Sequence, residues 1–152
     1  MDDTLQNNRD FLLARELGML LHEHHGVDVI VMDMRPLDFW TDFFVIATAT
    51  SNTHLVGLER HIKDFVREKG LEILRRSRRA ESNAGQSSAG NYTASDSVPG
   101  EWNLLDLGSI VIHLMDAKIR SFFELERLWS AAPVIFASEE KSGAGSYSSK
   151  SS

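Results

Sequence analysis

The chain has 152 residues, 42% of them hydrophobic and 25% charged, which is enough for one domain with its own core. It contains no cysteine, so disulfides, thiolate metal sites and cysteine nucleophiles are excluded together. A net charge of −6 disfavours extensive binding to nucleic-acid phosphates, which draws on a basic surface, and suits a basic protein partner better.

The opening Met1-Asp2-Asp3-Thr4 is acidic where a secretory leader would be basic, and no apolar run follows it. Apolar positions then recur at helical spacing from Leu5 to His25, with Leu13, Leu17, Leu20 and Leu21 among them, and Gly26 is placed as the stop. Val27–Met34 and Phe43–Thr48 are short and β-branched, and read as strands. Ser51 or Asn52 caps a helix whose stripe is Leu55, Leu58, Ile62, Phe65 and Val66, closed by Gly70. Leu71–Leu74 reads as a short strand. Ala80–Gly100 is rich in Ser, Gly, Ala and Asn, and reads as a flexible insertion. Trp102–Leu107 and Ser109–Met115 form a hairpin, Ala117–Ser130 a helix, and the stretch after Pro133 a disordered tail. The most apolar windows, Phe43–Ala49 and Leu104–Met115, fall far short of the roughly 20 residues of a membrane helix. These features point to a soluble, cytoplasmic protein.

The fold class is therefore α/β (α+β): a single domain over residues 1–134, with an insertion at 80–100 and a tail at 135–152. Its core is a mixed sheet of about five strands flanked by helices.

Candidate catalytic groups do not assemble in the sequence. His22-Glu23-His24-His25 lacks the i, i+4 histidine pair of a metalloprotease helix, because Gly26 stands four residues after His22. Asp28, Asp33, Asp38, Asp42 and Asp106 lie near strand ends, but no Gly-Ser lead-in or Gly-rich phosphate loop accompanies them. Ser51 and His54 lack a nucleophile elbow, and Ser51 has a sufficient role as a helix cap. No catalytic residue, metal or cofactor is expected. Arg75-Arg76-Ser77-Arg78-Arg79 is a basic cluster that reads as a solvated strand exit, with auxiliary contact to RNA phosphate as the alternative.

The hairpin is more informative. A two-residue Leu107-Gly108 loop sets Trp102 opposite His113, Leu104 opposite Val111 and Asp106 opposite Ser109, on one face. A three-residue loop would set Trp102 opposite Ile112 instead. In the first register Leu105, Leu107, Ile110, Ile112 and Leu114 form an aliphatic core face. The other face mixes a large aromatic with polar groups, as binding surfaces do. In the last helix Phe122, Leu125 and Trp129 share a stripe, which leaves Phe123 exposed beside Arg120. Arg120–Glu124 and Glu124–Arg127 stand at ion-pair spacing.

Two runs resemble the signatures of the Iojap-like ribosomal silencing factor family. The first is Thr41-Asp42-Phe43-Phe44-Val45-Ile46-Ala47-Thr48 with Thr50-Ser51 and His54. The second is Trp102, Leu105-Asp106-Leu107-Gly108, Val111-Ile112-His113, Arg120, Phe123, Leu125-Glu126 and Leu128-Trp129. The chain departs from the family pattern at Ala49, where glycine is usual, at Phe123, where tyrosine is common, and in the length of the 80–100 stretch. The resemblance implies a nucleotidyltransferase-like topology without catalytic carboxylates. It also implies a factor, often a homodimer, that binds the large ribosomal subunit through its fourteenth protein and blocks subunit joining. Motif position assigns partner contact to Trp102, Asp106, His113, Arg120, Phe123 and Glu124, and structural or dimer-contact roles to Asp42, His54 and Trp129. The alternatives are a nucleotide-binding enzyme of nucleotidyltransferase type and a dimeric adaptor unrelated to translation.

Overall fold

The computed structural model describes residues 2–79 and 100–138. The expected insertion, apart from Gly100, and the tail from Glu139 onward lie outside the described residues.

Helix α1 (Asp2–Glu23) buries Leu13, Ala14, Leu17 and Leu21. It ends two residues earlier than expected, in a Schellman arrangement: His25 N–H bonds the carbonyl of His22 and Gly26 N–H that of Leu21. His25, not Gly26, takes the left-handed conformation (φ 71°). Gly26 is needed for a different reason, since a Cβ there would stand 2.9 Å from the Leu21 carbonyl oxygen.

Strand β1 (Val27–Asp33) follows, then a 3₁₀ turn (Arg35–Leu37) and β2 (Phe43–Ala49), all seven of whose residues are buried. Such a run marks a strand covered on both faces. Helix α2 (Asn52–Glu68) starts at Ser51, whose hydroxyl accepts the His54 N–H at 3.0 Å, and buries its whole expected stripe. Leu71–Leu74 is not a strand. The ladder begins instead at β3 (Arg75–Arg79), which pairs antiparallel with β4 (Trp102–Asp106). Strand β5 (Ile110–Asp116) leads into α3 (Ala117–Phe123) and α4 (Leu125–Leu128).

The last strand corrects the expected tail. Val134–Ala137 forms β6 and pairs antiparallel with β1, so the ordered fold runs past residue 134. The described residues thus hold a six-stranded sheet in the order β3-β4-β5-β2-β1-β6, antiparallel except for the central β2–β5 pair.

The β4–β5 register differs from both expectations. Trp102 stands opposite Met115, Leu104 opposite His113 and Asp106 opposite Val111. Leu107 N–H bonds the Ile110 carbonyl at 2.8 Å, so the two-residue loop is Gly108-Ser109, not Leu107-Gly108. Gly108 has φ 101°, the positive angle that a primed hairpin turn requires at its first central position. The slip is by two residues, which preserves the side-chain alternation. Leu105, Ile110, Ile112 and Leu114 therefore do face the core under α1 and α2, with Leu107 packed at its edge.

The opposite face of the sheet carries Met32, Met34, Phe44, Ile46, Val111 and Met115. Its cover is thin: α3, α4 and the 3₁₀ turn bring Ile119, Leu37, Phe39, Phe123, Leu125 and Trp129 onto it. The expected single last helix breaks at Glu124, which adopts φ 46°, ψ 54° and caps α3 by bonding its N–H to the Arg120 carbonyl. That break changes the helical phase. Phe123 turns inward and is half-buried, whereas Phe122, expected on the buried stripe, is exposed.

Candidate functional site

The thinly covered face is where the aromatic residues of the second signature gather. Trp102, at the start of β4, lies half-buried with its indole 4.9 Å from the Phe123 ring, and Phe123 in turn meets Phe122 edge-on at 4.9 Å. Beyond them Trp129 packs against Phe39 (4.8 Å) and Phe44 (6.5 Å), and Phe39 against Trp40 (5.5 Å). Trp40 is 59% exposed, Phe122 54% and Leu128 65%. The result is a run of aromatic and aliphatic side chains whose outer members are between half and two-thirds uncovered. Exposed apolar groupings of this kind are characteristic of contact surfaces.

Three residues expected to touch a partner are instead committed inside the molecule. Asp106 is buried. Its Oδ1 accepts the Gly108 N–H (2.8 Å), fixing the hairpin loop, and its Oδ2 accepts from Arg75 (2.9 Å). Arg120 is nearly covered, and it donates to Thr48 Oγ1 (2.9 Å), the Asp28 carbonyl (2.7 Å) and both Glu126 oxygens (3.2 Å). It therefore ties α3 to β2, β1 and α4. Its expected ion pair with Glu124 does not form, because Glu124 sits in the helix break and meets Arg127 at 3.4 Å. His113 is buried against Phe44, and burial pushes its imidazole down to a pKa of about 4. Of the expected contact residues, Trp102, Phe123 and Glu124 reach the surface.

The first signature builds the hinge between β2 and α2. Thr50 N–H donates to His54 Nδ1 (2.9 Å), so the ring hydrogen is on Nε2, which donates to the His24 carbonyl (3.0 Å). His54 thereby pins the α2 N-terminus to the end of α1. His24 also stacks on His61 of α2 at 3.5 Å; burial and the neighbouring His61 lower its pKa. Asp42 is half-buried, and its backbone links Met34 and Ser109, bridging β1 to the hairpin loop.

The remaining carboxylates show where charge is held. Asp33 takes Arg35 in a two-pronged pair (2.9 and 2.8 Å), which lowers the Asp33 pKa through that hydrogen bond and leaves the carboxylate occupied. Buried Glu59 on α2 accepts from Arg76 and from Asn103 (2.8 Å). Burial raises its pKa, but the Arg76 bond and charge, with Asn103 and Lys63, outweigh it and hold the group ionised. Half of the basic cluster is thus neutralised, Arg75 by Asp106 and Arg76 by Glu59. Among the described residues no group of three or more His, Asp or Glu side chains could hold a metal ion, and no helix is long and apolar enough to cross a membrane.

Sequence reasoning missed Phe39 and Trp40. Both follow Arg35-Pro36 in a connecting segment, outside any periodic element, where an aromatic pair has no local reason to be. That composition was the available signal.

Comparison with solved structures places the fold. A crystal structure from Chromobacterium violaceum superimposes with a TM-score of 0.55 at 23% identity, covering 77% of this chain and 86% of that one. The class is thus an α+β domain with a mixed sheet and helices on both faces. The sequence profile of the family described as "Ribosomal silencing factor during starvation" matches residues 6–152, and the chain belongs to that family. A relative named ribosomal silencing factor RsfS from Treponema pallidum is 32% identical over 116 residues, 76% of this chain and 88% of that one. The chloroplastic protein Iojap of Arabidopsis thaliana is 30% identical over 122 residues, 80% of this chain. The chain spans 43% of that longer relative.

Proposed function

We propose that the chain regulates translation by binding the large ribosomal subunit with its thinly covered sheet face. In this reading it docks on the subunit's fourteenth protein and sterically keeps the small subunit from joining. The observation that carries the proposal is the partly exposed Trp102–Phe123 pair, continued by exposed Phe122 and Leu128. Desolvating such rings is the usual source of affinity at an interface, and an exposed Glu124 at its rim suits a basic neighbour. Family membership supplies the ribosomal context. Asp42, His54 and Trp129 serve the fold of the single chain, and a dimer contact is not needed for this action. Contact with ribosomal RNA is at most auxiliary, because Arg75 and Arg76 are already paired with carboxylates.

The test is co-sedimentation with purified large subunits. Trp102→Ala should weaken binding by roughly 2 kcal/mol or more, about thirtyfold, while leaving the circular dichroism spectrum unchanged. A folded Trp102→Ala chain that still travels fully with large subunits would remove this face from the mechanism.

A further inference from the structure

The family histidine on β5 was expected at the contact surface, yet it lies beneath it. Trp102 Nε1–H donates to His113 Nδ1 at 3.2 Å, and the two rings stand 5.9 Å apart. We infer that His113 is a positioning residue, which holds the Trp102 indole in its binding orientation without touching the partner itself. This inference rests on Trp102 being a contact residue.

Four observations carry it. An indole nitrogen only donates, so Nδ1 is the bare acceptor and the ring hydrogen sits on Nε2. The ring is 5% exposed, wedged against Phe44 at 4.7 Å edge-on, with Leu104 opposite on β4 and Ile46 opposite on β2. None of these neighbours titrates, and burial keeps the imidazole neutral well below the ordinary 6.5, down to about pH 4. Nε2 is buried with no hydrogen-bond partner among the described residues. A buried donor left unpaired destabilises a fold, and an apolar side chain of similar size would avoid that penalty. The imidazole at this site is explained by its other nitrogen. Trp102 is partly exposed, and a large ring at a surface loses rotational freedom when a partner covers it; a ring already held loses less.

Nuclear magnetic resonance on the intact chain with labelled histidine reads the tautomer directly. The Nε2–H form is expected for His113, and the Nδ1–H form would overturn the inference whatever the ribosome does. Binding supplies the second arm. His113→Leu removes the acceptor, and should shift the Trp102 indole proton upfield and weaken large-subunit binding about tenfold, the worth of one net hydrogen bond. His113→Asn puts a carbonyl oxygen near the place of Nδ1 and should recover most of the affinity. A folded His113→Leu chain that binds like wild type, while Trp102→Ala does not bind, would end the positioning role alone. Wild-type binding by Trp102→Ala would end the binding face and the positioning role together. If His113→Leu fails to fold, the tautomer and the His113→Asn affinity decide the matter.

Discussion

The two faces of the sheet are made from alternate residues of the same strands, but they are covered differently. On the α1–α2 side, two long helices seal Val45, Leu105, Ile112 and Leu114 completely. On the other side, two short helices and a 3₁₀ turn lie over Phe44, Val111 and Met115, and the rings they bring stay only partly buried. The apolar content of the strands is similar on both sides. What separates the sealed face from the partly open one here is the thickness of the cover, not the pattern beneath it.

Substitutions on the sealed side should act on stability and reach binding only through unfolding. Ile112→Ala removes a completely buried side chain and should cost about 2–5 kcal/mol in urea denaturation. Unchanged stability would mean that the sealed side is not the core.

Acid probes the other side through His113. Its folded pKa, about 4, lies below the ordinary 6.5, so the unfolded chain takes up the proton first. Stability from this group is intact above pH 6.5 and is lost as pH falls from there toward 4. At 1.36 kcal/mol per pH unit, the full loss is about 3 kcal/mol. Urea midpoints at pH 7 and 4.5 should diverge more for the wild type than for His113→Asn, which cannot titrate. Equal slopes would place the imidazole in water.

Smaller effects sharpen the contrast further. Trp40→Ala should leave stability within roughly 0.5 kcal/mol, as surface substitutions do. It should nevertheless cost about 1–2 kcal/mol in binding to large subunits if the aromatic run acts as one surface. Full binding would confine the contact to the Trp102 end. The smallest expected effect is at the helix break. Glu124→Gly relieves a left-handed residue and should raise stability by at most about 1 kcal/mol, despite losing the exposed pair with Arg127. A fall in stability would show that the Glu124 side chain contributes more than its backbone costs.

Much of this was legible in the residues. The α2 stripe and its Ser51 cap follow from spacing and local chemistry, and so do the buried β2 run and the division of the hairpin into two faces. The hairpin register was misplaced without harm, because moving the loop from Leu107-Gly108 to Gly108-Ser109 shifts pairing by two and keeps every side chain on its side. The break at Glu124 was not legible. Glycine or asparagine advertises a left-handed turn, whereas a glutamate that adopts one is held there by its surroundings. That hidden break exchanged the roles of Phe122 and Phe123. The inward commitment of Arg120 was equally out of reach, since its acceptors, Thr48 and the Asp28 carbonyl, lie 72 and 92 positions away.

The pairing of Arg79 with Trp102 has a practical corollary. Residues facing each other across an antiparallel ladder sit about 5 Å apart. Whatever leaves the sheet after β3 must therefore come back to almost the same spot before β4, and extra length there is cheap, growing only logarithmically. A fluorescent reporter or affinity handle spliced into 80–99 would thus be tethered between two strand ends that meet at the tryptophan.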